Sequence, residues 1–204
     1  MIPQSIKDAY YGILFPLSKA LRPIYRLHHT RRNGRVRRVQ LGCGPKYLDG
    51  FINIDGNFQR RVDYLMDIRA GLPFDDDSIE FIYSCHTLEH LFITDALTVL
   101  GECRRVLRPD GVLRLTLPDF LHAQRILDRK ETSTFPRSFA SPEGQAINFL
   151  FCDGQHKFAY TPEVIREIAL NIGFRRVENA TVGVVDHVGS MDEPAGSFAV
   201  NLYK

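Results

Sequence analysis

The sequence lacks several patterns that would assign it at once to a class of protein. Its four cysteines are widely spaced and form no CxxC pair, which argues against a zinc knuckle or a disulfide framework, so we expect reduced thiols. No stretch approaches the roughly 20 apolar residues of a membrane span. The longest candidate, AYYGILFPL, is followed by no small-residue cleavage site of the signal-peptide type. We therefore expect a soluble cytoplasmic protein.

Basic residues are concentrated at the start of the chain. Residues 1–38 carry nine Lys or Arg against one acid, whereas the rest carries seventeen basic and twenty-three acidic residues. Residues 1–35 are interpreted as a basic amphipathic arm, because apolar residues recur there at helical steps. Pro16 and Pro23 predict two or three short helices within this arm, since each proline removes a helical hydrogen bond. The apolar stripe consists of Ile6, Tyr10, Ile13, Leu17, Leu21 and Ile24.

Three roles are open for this arm. It could cover the core or close over an acceptor site, which is the plainest interpretation of an amphipathic helix. It could also lie reversibly on an anionic membrane surface, which would make the protein peripheral to the inner membrane. We do not expect a nucleic-acid partner, because the aromatic residues follow the helix stripe instead of forming a base-stacking array.

The remainder, residues 36–204, alternates short apolar runs with helical stretches. The runs VQL, FINI, VDYLM, IEFIYS and VLRLTL lack regular hairpin turns, which favours a mostly parallel sheet covered on both faces. A turn is expected at RPDG, residues 108–111. The segment TPEVIREIALNIGF predicts a helix with Thr161 as its N-cap, Pro162 in the first turn and Gly173 just past its end.

A glycine loop stands between the first two runs, in RVQLGCGPKYLDGFINIDG. Gly42 and Gly44 follow one apolar run and Asp55 ends the next. A dinucleotide site would need G-x-G-x-x-G, but Tyr47 occupies the third glycine position, and the P-loop pattern is absent. What remains is a ligand with a ribose but no pyrophosphate. A carboxylate such as Asp55 can accept hydrogen bonds from both ribose hydroxyls.

Four blocks together carry a resemblance: LGCGPKYLDGFINID, MDIRAGLPFDDDSIEFIYSCHTLEHL, ECRRVLRPDGVLRLTLPD and HKFAYTPEVIREIALNIGF. They resemble a small bacterial class I S-adenosylmethionine-dependent methyltransferase, similar to those associated with polysaccharide and surface-glycan synthesis. The resemblance implies an α/β, Rossmann-like doubly wound sheet of seven strands whose last strand is antiparallel. It also implies S-adenosylmethionine as cofactor and S-adenosylhomocysteine as product.

The resemblance further assigns cofactor-binding positions at the ends of the first four strands. The glycine loop would pass under the methionine part, Asp55 would bind the ribose, and Asp67 with Ile68 would frame the adenine. The positions carried over are Gly42, Cys43, Gly44, Asp55, Asp67, Ile68, Ser84, Cys85 and His86. Two features depart from the family pattern. Gln40 stands where many members have an acid, and only PKYLDG separates the first two strands, so the first helix is expected to shrink to about one turn.

The chemistry expected is methyl transfer to an oxygen of a sugar, glycan precursor or other small metabolite. Such an acceptor needs a general base, and we expect it to be His156 or Asp119. Other acceptor-side candidates are His86, Glu89 and His90. The irregular segment 131–144 is expected to shape an acceptor pocket or lid.

Two other functions are weighed against this one. A noncatalytic protein could keep the same fold for binding or regulation, and turnover would separate the two. Alternatively, HTLEH, residues 86–90, matches H-x-x-E-H, in which two histidines on one helix hold zinc and the glutamate acts as base. His86 is expected to precede the helix, which breaks that geometry, so we predict no metal.

Overall fold

The computed structural model describes residues 4–33, 36–133 and 139–204, without the side chains of residues 4, 5, 32 and 33. A seven-stranded sheet lies at its centre, in the order β3-β2-β1-β4-β5-β9-β6. Strands β1 to β5 pair in parallel, whereas β9 runs antiparallel to both β5 and β6. The predicted Rossmann-like sheet with an antiparallel last strand is confirmed. Its strands are β1 Arg38–Leu41, β2 Ile52–Asp55, β3 Tyr64–Leu65, β4 Ile79–Cys85, β5 Leu107–Pro118, β6 Arg176–Ala180 and β9 Ser197–Tyr203, with β7 Val184–Val185 and β8 Gly189–Ser190 forming a separate hairpin.

Five α-helices surround or cap this sheet in the described ranges. They are α1 Gln4–His28, α2 Ile93–Val106, α3 Phe120–Leu127, α4 Pro142–Phe151 and α5 Pro162–Ile172. A π-helical turn, His29–Asn33, extends α1, and 3₁₀ turns form at Ile68–Ala70, Leu88–His90 and Cys152–Gly154. No helix in the described part of the chain is both long and apolar enough to cross a bilayer.

Helix α5 has the ends that the sequence predicts. The Thr161 hydroxyl accepts a hydrogen bond from the Val164 amide at 3.2 Å, and Pro162 lies in the first turn. Gly173 adopts φ +101° just past the end, in the left-handed region that glycine tolerates without steric cost. These local signals therefore fix both ends of α5.

The central strand β4 shows how the core divides between the two faces of the sheet. Ile82 packs in the main cluster beneath α2 and α5, whereas Phe81 and Tyr83 point to the opposite face. That second face is covered by the β1–β2 connection and by the β7–β8 region, which contribute Phe51 and Val185. Continuous apolar runs such as IEFIYS are thus buried on both sides, as expected for a parallel strand.

The β1–β2 connection contains no helix at any of residues 42–51. The buried Asn53 side chain organises it instead: its amide oxygen accepts from the Leu48 amide and its amide nitrogen donates to the Leu48 carbonyl, both at 2.9 Å. The connection is thus even more compact than the single turn expected from the sequence. Its compactness keeps the glycine loop directly beside the end of β2.

Helix α1 differs from the prediction in two respects. It is continuous through Pro16 and Pro23, so the expected division into short helices is wrong. Most of its apolar stripe also faces outward: Ile13 is 71% exposed and Ile24 is 60% exposed, whereas Tyr10 and Leu21 are half-buried. The buried residues are instead Leu14 and Ser18, one turn apart on another face. Tertiary contacts along that face hold the helix together and compensate for the two hydrogen bonds that the prolines remove.

These contacts place α1 across the carboxyl ends of β2 and β3. The Ser18 hydroxyl accepts from the Asp67 amide at 2.9 Å, and the Tyr10 hydroxyl donates to the Gly56 carbonyl at 2.8 Å. The Tyr25 hydroxyl donates to the Leu65 carbonyl at 3.3 Å. The arm is therefore a wall of the domain at the edge where parallel sheets bind ligands.

The RPDG segment, expected as a turn, lies inside the long strand β5. The pairing of β4 with β5 shifts register between Ile79 and Phe81, and Asp110 adopts φ +65°. The segment therefore bulges out of the ladder without ending the strand.

Candidate cofactor and acceptor site

The glycine loop closes onto the end of β2. Gly42 and Gly44 adopt φ +65° and +53°, and the Gly42 amide donates to the Ile54 carbonyl at 2.8 Å. A Cβ on Gly42 would lie 2.1 Å from the Thr87 hydroxyl oxygen, whereas a Cβ on Gly44 would meet nothing within 4 Å among the described residues. The loop thus packs tightly against Thr87 on one side and leaves open space on the other, as a backbone cradle for a ligand requires.

The Asp55 side chain links the glycine loop to the chain that follows β2. One carboxylate oxygen accepts from the Gly44 amide and the other from the Asn57 amide, both at 2.7 Å. Each carboxylate oxygen has two acceptor positions, so each retains one for a further donor. The half-buried carboxylate can therefore accept from two hydroxyls while its backbone contacts hold it in place.

At the end of β3, Asp67 is buried and already engaged by a cation. Its carboxylate accepts from the Arg69 guanidinium at 2.6 Å and from the Arg69 amide at 3.0 Å, which caps the short turn Ile68–Ala70. The sequence identified Asp67 and Ile68 but gave no signal for the Arg69 partner. The adenine-framing role of these two positions stays a prediction.

Arg69 also borders a cavity that the sequence did not reveal. The cavity has a volume of about 460 Å³ and lies between α1 and the start of α2. Its lining residues are Asp8, Tyr11, Gly12, Phe15, Arg69 and Asp95. The Tyr11 ring packs on Gly56, and burial, followed by the charge of Asp55, raises the pKa of Tyr11 to about 12. Tyr11 is therefore a neutral aromatic wall beside the β2 end.

The end of β4 lies next to the glycine loop, because Leu41 of β1 pairs with Ser84. The Ser84 hydroxyl is buried and has no hydrogen-bond partner within the described ranges. Burial raises the pKa of Cys85 to about 12, so its thiol is not a nucleophile near neutrality. His86 adopts φ +51°, a conformation that costs free energy for a residue with a side chain, and contacts the Ser197 hydroxyl at 2.8 Å.

Cys43 has a comparable environment on the loop itself. It is 3% exposed, and its sulfur lies 3.9 Å from the Arg61 carbonyl. Burial, followed by the charge of Asp55, raises the pKa of the Cys43 thiol to about 12. The residue contributes shape and backbone to the loop.

On the acceptor side, Glu89 is at the centre of a buried group of histidines. It is 1% exposed, and burial raises the pKa of its carboxyl to about 8. His86 Nδ1 lies 3.3 Å from the Glu89 carboxylate and His156 Nε2 lies 4.0 Å from it. Burial lowers the pKa of both imidazoles to about 4, so both are neutral at neutral pH. Glu89 and His156 were separate candidates in the sequence, and only the fold brings them together.

The two expected general bases occupy different settings. Asp119 caps α3, accepting from the Leu121 amide at 2.9 Å, and its other oxygen lies 3.5 Å from Arg125. His156 is buried beneath the end of α4, where its lowered pKa makes it a weak proton acceptor at neutral pH. Both roles stay predictions. Of the expected lid 131–144, residues 134–138 lie outside the described residues.

The HTLEH segment does not form the helix of a zinc hydrolase. His86 lies beyond the end of β4, and only Leu88–His90 form a single 3₁₀ turn. The two histidines therefore do not share one helix face, as expected from the sequence, and the zinc hydrolase alternative has no support.

Comparisons with known proteins agree with this geometry. Residues 51–115 match the family described as a methyltransferase domain, a segment that holds Asp55, Asp67 and the β4 end. An S-adenosylmethionine-dependent methyltransferase from Archaeoglobus fulgidus shares 13% identity over 90% of this chain and 94% of its own, with a TM-score of 0.52. A second from Mesorhizobium loti shares 15% identity over 82% of this chain and 90% of its own, also at 0.52. No curated protein matches the sequence.

These matches agree with the class predicted from the sequence. The fold is that of class I S-adenosylmethionine-dependent methyltransferases, and a methyltransferase domain is matched across the second to fifth strands. S-adenosylmethionine is the cofactor of this class. The residues at the strand ends fit it, because open space in front of Gly44, spare acceptor positions on Asp55 and the unpaired Ser84 hydroxyl all meet at one edge of the described sheet.

Proposed function

We propose that this protein transfers the methyl group of S-adenosylmethionine to an oxygen of a sugar, glycan precursor or other small metabolite. The observation that supports cofactor binding is the 2.7 Å hydrogen bond from the Gly44 amide to the Asp55 carboxylate, which lies beside open space. That hydrogen bond places the carboxylate proposed to bind the ribose next to a glycine loop whose backbone can approach a ligand closely.

Each strand end has its own role in this proposal. Gly42, Cys43 and Gly44 pass under the methionine part, and Asp55 accepts charge-assisted hydrogen bonds from the two ribose hydroxyls. Asp67 and Ile68 frame the adenine, with Arg69 holding the Asp67 carboxylate in place. Ser84, Cys85 and His86 line the cofactor site after the fourth strand.

One buried hydroxyl on the acceptor side supports an acceptor that can form hydrogen bonds. The Tyr160 hydroxyl is buried and lacks a hydrogen-bond partner within the described part of the chain. Tyr160 lies beside Asp119 at the end of β5, through a backbone bridge between the two residues. Buried hydroxyls without partners are costly unless a ligand satisfies them. Bound S-adenosylmethionine would supply the activated methyl group, and the chain would align the acceptor oxygen with it and exclude water.

Calorimetric titration with S-adenosylhomocysteine tests the cofactor half. We expect Asp55→Ala to weaken binding by roughly 10- to 150-fold, the equivalent of about 1.5 to 3 kcal/mol for hydrogen bonds to a charged group. Asp63→Ala is the matched control, because Asp63 also accepts from a backbone amide, that of Asn53 at 2.7 Å, but is exposed and precedes β3. Unchanged affinity in folded Asp55→Ala would contradict the assignment.

Turnover separates the enzyme from a noncatalytic binding protein of the same fold. Purified protein with methyl-labelled S-adenosylmethionine should transfer label to a member of a panel of sugars and lipid-linked glycans. Binding of S-adenosylhomocysteine without transfer to any acceptor class would favour the binding protein.

A second proposal concerns where the acceptor is met. The outward face of α1 combines exposed Ile6, Ile13 and Ile24 with exposed Lys19, which suits contact with an anionic membrane surface. We expect cosedimentation with phosphatidylserine vesicles that is weakened by salt and by Ile13→Asp. Equal sedimentation with neutral phosphatidylcholine vesicles, or none with either, would refute the contact.

A further inference from the structure

Three side chains converge on the acceptor side in an arrangement that methyl transfer does not explain. Glu89, His90 and His156 each offer one atom, and these three atoms lie within 4.8 Å of one another. Glu89 and His90 belong to the turn Leu88–His90, and His156 follows α4. The fold therefore gathers one carboxylate and two imidazoles from segments far apart in the chain.

Both imidazoles are oriented so that their free nitrogens are available. His156 Nδ1 lies 2.9 Å from the Leu150 carbonyl, and His90 Nδ1 lies 3.3 Å from the Gln155 carbonyl. A carbonyl can only accept, so each Nδ1 carries the hydrogen and each Nε2 presents a lone pair. Anchoring one ring nitrogen on a backbone carbonyl is the usual arrangement of metal-binding histidines.

The carboxylate provides the second, independent observation. Glu89 is only 1% exposed, yet neither of its carboxylate oxygens has a hydrogen-bond partner in the described structure. A buried carboxylate without partners is costly. The ring nitrogens beside it are His86 Nδ1 at 3.3 Å and His156 Nε2 at 4.0 Å, and a ligand atom of His90 lies within 4.8 Å. The Lys7 ammonium does not fill this role, because it donates to the Gln155 side chain at 3.0 Å. The group thus has three electron-pair donors and lacks a positive charge between them.

We propose that Glu89, His90 and His156 bind a first-row divalent transition-metal ion of the Zn²⁺ type. Two imidazole nitrogens and one carboxylate oxygen suit Zn²⁺ and related ions, whereas Mg²⁺ and Ca²⁺ prefer oxygen ligands alone. Ligand atoms around tetrahedral zinc lie about 3.4 Å apart, given metal–ligand bonds of about 2.0–2.1 Å. The 4.0 Å between Glu89 Oε1 and His156 Nε2 is close to this separation. His90 is exposed, so the ion would have access from solvent and keep a position open to a further ligand.

This site differs from the zinc hydrolase pattern in its ligands. His86 is not part of the set, and Glu89 is a ligand instead of a base. His156 becomes a metal ligand in place of the proton acceptor expected from the sequence. The site does not depend on methyl transfer, so it stands or fails separately from the proposed function.

Zn²⁺ binding to the full-length protein tests the proposal by calorimetry after removal of bound metal with a chelator. We expect one equivalent to bind in the micromolar range or tighter, with no comparable binding of Mg²⁺. His90→Ala, His156→Ala and Glu89→Gln should each weaken Zn²⁺ binding by about 100-fold or more. His187→Ala is the control, because His187 is exposed in the β7–β8 hairpin and should leave binding unchanged.

Cobalt substitution provides a spectroscopic signal that would not appear if these three side chains had only a structural role. Co²⁺ at this site should give visible absorption bands typical of nitrogen and oxygen ligands, and these should disappear in Glu89→Gln and His156→Ala. Circular dichroism of each variant checks that it is folded. Absence of one-equivalent binding to the wild type, or bands indicating thiolate ligation, would overturn the proposal. Wild-type affinity in folded His90→Ala and His156→Ala would overturn it equally.

Discussion

Gly42 and Gly44 both have positive φ, but a side chain would meet different surroundings at the two positions. Alanine substitution should therefore have different effects at the two positions. An alanine at either position would have to adopt the left-handed backbone conformation, which costs about 1–2 kcal/mol. At Gly42 the Cβ would also lie 2.1 Å from Thr87 Oγ1 and 2.7 Å from Thr87 Cγ2. Thr87 cannot simply rotate away without losing its contacts to the Leu41 and Cys85 carbonyls, each at 3.3 Å. Overpacking of this kind adds about 1–3 kcal/mol.

We therefore expect Gly42→Ala to lose about 2–5 kcal/mol of unfolding free energy and Gly44→Ala only about 1–2 kcal/mol. Urea denaturation, with the dependence on denaturant compared between variants, measures both losses. Thr87→Ala in the Gly42→Ala background should restore part of the stability. The restoration is partial because the Thr87 Cβ, at 2.9 Å from the new Cβ, remains.

Gly44→Ala, the variant with the smaller expected loss of stability, should nevertheless weaken cofactor binding. The Gly44 Cβ would enter the open space where the ligand is proposed to lie, so Gly44→Ala should bind S-adenosylhomocysteine at least about tenfold more weakly, a loss of about 1.4 kcal/mol. Gly50→Ala is the matched control, because Gly50 has φ +79° and equally open surroundings but precedes β2 at its other end. Equal stability of Gly42→Ala and Gly44→Ala would refute the packing argument, and wild-type affinity in Gly44→Ala would refute the cradle.

Two further predictions concern buried polar groups. In metal-free protein, the folded state holds the Glu89 proton up to a pKa of about 8, well above the ordinary value of 4.5, whereas the unfolded state releases it earlier. The Glu89 contribution to the free energy of unfolding should thus fall as pH rises from 4.5 through 8, by at most about 1.4 kcal/mol per pH unit. His86 and His156, whose pKa values are lowered to about 4, contribute with the opposite sign up to about pH 6.5, so the fall is measured as the stability of the wild type relative to Glu89→Gln. Parallel pH profiles would contradict it. Ser18→Ala should cost about 1–3 kcal/mol, because the Asp67 amide loses its acceptor in a buried position, whereas Thr98→Ala, which removes an exposed bond to the Thr94 carbonyl, should cost less than about 0.5 kcal/mol. Similar losses in thermal or chemical denaturation would count against the role of Ser18.

Structural features with local causes were predictable from the sequence. The strand positions follow from short apolar runs, and the glycine loop follows from residues that alone adopt positive φ without cost. The ends of α5 follow from Thr161, Pro162 and Gly173, whose effects act within one helical turn. Asp55 was identifiable because the end of a β-strand next to a glycine loop is a fixed place in a parallel sheet.

Features that depend on contacts between distant segments were not predictable in this way. The periodicity of α1 identified an apolar stripe, but four of its six residues are exposed, namely Ile6, Ile13, Leu17 and Ile24. The buried face instead carries Leu14 and Ser18, and the Ser18 hydroxyl accepts from the Asp67 amide. Pro16 and Pro23 would divide an isolated helix, yet tertiary contacts outweigh the lost hydrogen bonds.

The buried group around Glu89 shows most clearly the difference between local signals and contacts of distant segments. Glu89 and His156 were visible as single residues in the sequence, and nothing in their spacing indicated that Nε2 of one would lie 4.0 Å from the carboxylate of the other. Sequence alone determined which strands form and which residues end them, because those signals are local. Only the tertiary structure decided which buried titratable groups share a site, because desolvation and proximity depend on the three-dimensional packing of segments far apart in the chain.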